Sequence, residues 1–147
     1  MNKYIQSAKY LALHKYYVLI EGLKIGRFLI LHDMSKFGIR SFVAHAKHWD
    51  FRAETCKEYI EYLQVRTHHE YSSKHHLQYW ADKEVPAKYL KEILVDWIAV
   101  QRALGKKMRK GDRYYHTRLW WEETGHTISM HPNTRTKIKN IIYSLKG

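Results

Sequence analysis

The chain has 147 residues and 45% apolar residues, which is enough for one buried core, so we expect a single domain over residues 1–147. A single cysteine, Cys56, excludes an intrachain disulfide framework. Neither a signal peptide nor an apolar run of roughly 18 residues is present, so we expect a cytoplasmic protein with no membrane partner. The net charge of +12 predicts an anionic partner such as a phosphorylated metabolite, a nucleotide or nucleic acid.

Helical periodicity runs through the first half of the chain. A first helix is predicted over about residues 3–24, before Gly26, with an inner face of apolar residues three or four apart: Ile5, Ala8, Ala12, Tyr16, Leu19 and Leu23. Residues 27–35 predict a second helix, residues 41–49 a short third one and residues 55–69 a fourth. The inner side of the fourth is predicted to carry Tyr59, Ile60, Leu63 and Thr67.

The second half predicts three further helices. The first runs from Pro86 to Leu104 and is stopped by Gly105, the second covers residues 114–123, and the last covers residues 132–145. We interpret the basic run at residues 106–110 as a solvated loop. Because no segment alternates as a strand does, the sequence predicts an all-α fold, a compact bundle of about six to seven helices.

A histidine followed directly by an aspartate, His32-Asp33, is the most informative motif. One imidazole and one carboxylate suit Zn, Fe, Mn or Ni better than Ca. His14 and Asp96 are spaced as inward-facing residues of the first and fifth helices. A buried carboxylate without a partner is costly, and metal coordination would remove that cost. These four residues are therefore candidate metal ligands.

Two histidine pairs lie between the His-Asp motif and Asp96. They are His68-His69 and His75-His76, and they would share one face of a continuous helix, although Ser72-Ser73 makes a break equally plausible. All four histidines are candidates. His48 is a weaker candidate, and His131 is predicted to help start the last helix.

The order of these motifs resembles the HD-domain superfamily of metal-dependent phosphohydrolases. The strings that carry the resemblance are HDMSKFG at 32–38, HHEYSSKHHLQYW at 68–80, VDWIAVQRALGKK at 95–107 and HPNTR at 131–135. They are similar to those of a family of small phage and bacterial HD-like proteins of unassigned function. The resemblance spans nearly the whole chain.

The resemblance implies a helical bundle that holds one or two divalent transition metal ions, with Mn, Fe, Ni, Zn and Co as the candidates. One ion would be bound by His14, His32, Asp33 and Asp96, and a second would involve His68 or His69. Lys36 would be the phosphate-binding lysine of an HD-x-x-K motif. The glycine-rich signature of the cyclic-dinucleotide phosphodiesterases is absent, so that particular activity is not predicted.

The function predicted from these residues is hydrolysis of a nucleotide or similar small phosphate ester by metal-activated water. Lys36 would hold a phosphate oxygen, and His75 or His76 would donate a proton to the leaving oxygen. Two alternatives remain open. The same ligands could hold two irons in an oxygenase, or the basic and aromatic residues could form a nucleic-acid-binding module.

Overall fold

The computed structural model describes residues 2–48 and 55–144, and helices make up most of them. No β-strand occurs within these ranges, which confirms the all-α fold. Trp49 and Leu145, the predicted ends of two helices, lie outside the described residues. The helices are α1 (Lys3–Leu23), α2 (Ile39–Lys47), α3 (Cys56–Ser72), α4 (Leu77–Trp80), α5 (Ala87–Ala103), α6 (Tyr115–Thr124) and α7 (Pro132–Tyr143), with 3-10 turns at Met34–Phe37 and Gly125–Thr127.

Several helix ends follow from their capping residues. The Thr55 hydroxyl accepts from the Glu58 amide at the start of α3. The His131 ring accepts from the Asn133 amide at the start of α7, which confirms the predicted role of His131. Gly105, with φ of 82°, follows α5 in the left-handed region, as predicted.

Helix α5 is the centre of the structure and is buried on most of its surface. Its apolar residues pack against those of α6 and α7, including Trp121, Ile138 and Ile142. On another face of α5, Val95 and Ala99 pack against Val18 of α1. This second contact fixes α1 against α5, and both helices carry candidate metal ligands.

The predicted inner faces of α1 and α3 were wrong. In α1 the predicted residues Ile5, Tyr16 and Leu23 are exposed. The buried stripe is instead Ser7, Leu11, His14, Val18, Glu21 and Gly22. In α3 the predicted residues Tyr59, Ile60, Leu63 and Thr67 are exposed, and His69 is the buried residue. Both helices turn polar residues inward because those residues have charged or imidazole partners there, which a hydrophobic pattern does not record.

The predicted second helix over residues 27–35 does not form. Gly26 has φ of 72°, and the Arg27 amide donates to the Gly22 carbonyl at 2.9 Å, so the chain turns back on α1. Residues 27–33 form a loop, which ends at Asp33 with φ of 59° before the 3-10 turn. The metal-ligand candidates His32 and Asp33 therefore lie on a loop and not on a helix.

None of the helices in the described part of the chain has the length and apolar character required to cross a membrane.

Candidate metal centre

Seven of the buried or half-buried candidate ligands converge from five parts of the chain. They form two groups that share one residue, and in each group the candidate ligand atoms lie within 4.8 Å of one another. The first group is His14, His32, Asp33 and Asp96, and the second is Asp33, His69, His75 and His76.

The first group is completely buried and is built on α1, α5 and the loop between α1 and α2. His14 Nε2 lies 3.0 Å from Asp33 Oδ2 and 3.2 Å from Asp96 Oδ1. His32 Nε2 lies 3.1 Å from Asp96 Oδ1 and 3.5 Å from Asp33 Oδ2. Two imidazole nitrogens and two carboxylate oxygens thus face a common centre, which is a donor set suited to a divalent transition metal ion.

The second group is at the end of α3 and in the turn that follows it. His69 Nε2 and His75 Nε2 lie 2.9 Å and 3.0 Å from Asp33 Oδ1. His76 Nε2 lies 2.9 Å from His69 Nε2. Two imidazole nitrogens at this distance share one proton or one cation, since two lone pairs facing each other repel.

Asp33 belongs to both groups because its two carboxylate oxygens point in different directions. Oδ2 faces the first group, and Oδ1 faces His69 and His75. On a helix, the side chains of His32 and Asp33 would diverge by about 100°. The left-handed backbone at Asp33, with φ of 59° and ψ of 22°, removes this divergence and lets both side chains meet Asp96 and His14.

The electrostatics of the first group favour a cation. Burial alone would raise the pKa of Asp33, but the Lys36 ammonium and the surrounding imidazoles hold it well below its usual range. Burial would also lower the pKa of His14, but hydrogen bonds to Asp33 and Asp96 outweigh this effect and raise it from 6.5 to about 9. Without a metal ion the cluster therefore retains a proton on His14, and a metal ion would replace that proton.

The second group holds a neutral imidazole. Burial lowers the pKa of His76 from 6.5 to about 3, and the neighbouring His75 and Lys36 act in the same direction. A neutral imidazole is the form that binds a metal ion. The buried His/Asp groups can thus hold a metal ion by geometry and by protonation state.

Three neighbouring side chains support the ligands. The Lys36 ammonium donates to Asp33 Oδ2 at 2.6 Å, and the Lys15 ammonium donates to the His32 carbonyl at 2.6 Å. Ser35 Oγ lies 2.8 Å from His69 Nδ1, on the side of the ring away from Asp33. Sequence reasoning missed Lys15 and Ser35. Lys15 directly follows His14, and Ser35 lies between Asp33 and Lys36, but neither position predicts these contacts.

The structure separates the two members of the first histidine pair. His69 is buried in the second group, whereas His68 is exposed and lies outside both groups, because neighbouring residues of α3 point about 100° apart. Of these two candidates, only His69 is placed to be a ligand of a second ion. The assignment of His75 and His76 to substrate contacts stays a prediction, and both also lie within reach of a shared ion with Asp33.

One comparison identifies a family. The model of a family of unknown function, DUF5662, matches residues 3–144. The chain belongs to this family. No curated protein and no solved structure matched it. The likeness to the HD-domain superfamily accordingly stays a prediction from the motifs.

Proposed function

We propose that this chain is a metal-dependent phosphohydrolase that acts on a nucleotide or similar small phosphate ester. The observation that carries the proposal is the Asp33 carboxylate, whose two oxygens each face a separate group of imidazole nitrogens. This arrangement suits a carboxylate that bridges two metal ions. The first ion would be held by His14, His32, Asp33 and Asp96, and the second by Asp33, His69 and His76.

The donor set narrows the choice of metal. Imidazole nitrogens outnumber carboxylates in the combined site, which favours Mn, Fe, Co, Ni or Zn over Ca or Mg. Bound at such a site, these ions lower the pKa of a coordinated water and neutralise charge on a phosphoryl oxygen.

Lys36 is the residue best placed to bind a phosphate oxygen. Its ammonium contacts Asp33 Oδ2, and its side chain retains 17% exposure, so it borders both the ligands and the solvent. A cation bound to Asp33 would compete with this ion pair and release the ammonium toward an anionic substrate. The net charge of +12 would draw that substrate toward the site.

His75 is the better of the two candidates for proton donation. The low pKa of His76 keeps its ring neutral near pH 7, which suits ligation and does not suit an acid. The His75 side chain is 14% exposed and lies at the rim of the group. We assign His75 the transfer of a proton to the leaving oxygen.

The two alternative functions differ in their dependence on these residues. A di-iron oxygenase would use the same ligands and would require iron and oxygen. A nucleic-acid-binding module would use exposed aromatics, whereas Trp97 contacts Trp120 and Trp121 and all three pack in or against the core.

The proposal is tested with protein loaded with Mn, Fe, Co, Ni or Zn, by assaying phosphate release from nucleotides and phosphomonoesters and formation of the phosphomonoester product from phosphodiesters. Lys36→Ala should retain metal and lower turnover at least tenfold. Lys139→Gln, which removes one charge from exposed surface of α7, should leave turnover unchanged. Metal-loaded protein that hydrolyses none of these substrates would contradict the proposal. Oxygen consumption that depends on iron would favour the oxygenase.

A further inference from the structure

A cavity lies next to the metal centre, between the first turn of α2 and the C-terminal half of α3. Its volume is about 530 Å³. Of the residues in the two ligand groups, His69 alone lines it, and Ser35 is the residue that joins the cavity to that ligand. Asp33, His75 and His76 do not line it. The cavity is therefore a space of its own, on the Nδ1 side of the His69 ring.

The hydrogen bond between Ser35 and His69 has a defined direction when His69 binds a metal. Ligation through Nε2 requires the proton to be on Nδ1, so Nδ1–H donates to Ser35 Oγ. The Ser35 hydroxyl then has its own proton to donate. No other described residue accepts a hydrogen bond from this hydroxyl, and Ser35 borders the cavity. An acceptor in the cavity would complete the chain of hydrogen bonds.

The rest of the lining also offers donors. The polar side chains are Arg40, Ser41, Gln64 and His68, and none of them makes a side-chain hydrogen bond or ion pair within the described ranges. No acidic residue of the described chain lines the cavity. Ile39 and Val65 add an apolar wall. A guanidinium with hydroxyl and amide donors is a set that recognises an oxyanion.

We propose that this cavity binds a phosphate-type oxyanion and that the bound anion is coupled to the metal centre through Ser35 and His69. The anion would accept from the Arg40 guanidinium and from the Ser35 hydroxyl. The apolar wall would contact the organic part of a phosphorylated compound. The binding site is independent of the proposed activity, whereas the coupling rests on ligation by His69. The anion is either a second phosphate group of the substrate or a separate phosphorylated effector.

Binding is tested first on metal-free protein, by calorimetric titration with inorganic phosphate. One equivalent should bind, and Arg40→Gln should weaken binding at least tenfold. Lys139→Gln is the matched control for net charge and should bind as the unmodified protein does. Lys36→Ala should also bind phosphate normally. Absence of binding, equal binding by Arg40→Gln, or loss of binding in Lys36→Ala would overturn the proposal, since the last result would place phosphate at the metal ligands.

Coupling is tested by measuring the affinity of the protein for Co²⁺ with and without sulfate. Sulfate replaces phosphate here because it does not precipitate Co²⁺. Sulfate should raise the affinity several-fold, because an anion that accepts from Ser35 favours the His69 tautomer with a free Nε2. By reciprocity, Co²⁺ should raise sulfate affinity by the same factor. The effect should vanish in Ser35→Ala. An unchanged Co²⁺ affinity, or an equal effect in Ser35→Ala, would overturn the coupling.

The source of the anion is distinguished with substrates that carry one or two phosphate groups. If the anion belongs to the substrate, Arg40→Gln raises KM only for the doubly phosphorylated compounds, and sulfate competes with them. If it is a separate effector, sulfate changes turnover without competing. A chain that hydrolyses nothing but passes the phosphate titration would contradict the proposed function and leave the anion site standing.

Discussion

Two buried charged clusters lie on the same two helices, and they differ in the kind of cation that surrounds the carboxylates. Glu21 of α1 is fully buried and contacts Lys24, Arg102 and Arg113 at 2.7, 2.6 and 2.8 Å. About two helical turns before Glu21, on the same buried stripe of α1, His14 faces two carboxylates and a set of imidazoles. The first cluster is satisfied by permanent charges. The second is satisfied by groups that titrate.

This difference separates a structural cluster from a site that can exchange its cation. The guanidinium groups around Glu21 stay charged at every accessible pH, so the cluster has no vacancy for another ion. The imidazoles around Asp33 and Asp96 can release their proton to make room for a metal ion. On one stripe of α1, Glu21 is thus held by permanent charges, whereas His14 belongs to a group that could hold a metal ion.

The largest predicted effect concerns the structural cluster. Glu21→Gln leaves three cations beside a neutral amide, so we expect the free energy of unfolding to fall by about 3–5 kcal/mol. Denaturant unfolding measures this change. The control is Glu84→Gln, which removes an exposed carboxylate that pairs with Lys137 and should have no measurable effect. A Glu21→Gln variant as stable as the unmodified protein would show that the cluster is not required for folding.

The second prediction uses the opposite pH responses of the two clusters in metal-free protein. The folded pKa of His14, about 9, exceeds its unfolded value of 6.5, so its contribution is complete below pH 6.5 and is lost as the pH rises through 9. The loss amounts to roughly 3 kcal/mol. Glu21 has a lowered pKa, so its contribution is present at neutral pH and is lost on acidification.

The measurement is denaturant unfolding between pH 6 and pH 9 with a chelator present. Relative to His14→Gln, the unmodified protein should lose stability across this window. Stability that rises with pH relative to that variant would contradict the assigned ion pairs.

The third prediction tests how closely the ligand loop packs on α1. A Cβ atom at Gly22 would lie 2.8 Å from the Arg27 carbonyl oxygen and 3.2 Å from Leu29. Gly22→Ala should therefore displace the loop that ends at His32 and Asp33, with a cost of about 1–3 kcal/mol and weaker metal binding. Gly38→Ala is the control, because its Cβ would lie at an ordinary 3.4 Å from the Ser35 carbonyl. Unchanged metal affinity in Gly22→Ala would show that the loop adapts.

The sequence predicted the all-α fold and most helix bounds because these depend on local periodicity and end signals such as Gly105. It failed on the inner faces of α1 and α3 because polar residues such as Glu21 and His69 are buried by distant partners. It failed on residues 27–35 because the turn at Gly26 depends on contact with Gly22. His14, His32, Asp33 and Asp96 were correctly expected to face inward, but the shared carboxylate of Asp33 depends on a backbone conformation that spacing does not reveal.

The central claim is that two metal ions share Asp33, and the direct measurement is metal content per folded chain. Elemental analysis of protein without a histidine tag should find two equivalents of a divalent transition metal in the unmodified chain. Asp96→Asn and His76→Ala should each retain one, and Asp33→Asn should retain none, whereas Glu84→Gln should retain both. Two equivalents retained in Asp33→Asn, or none bound by the unmodified protein after exposure to Mn, Fe, Co, Ni and Zn, would contradict the claim.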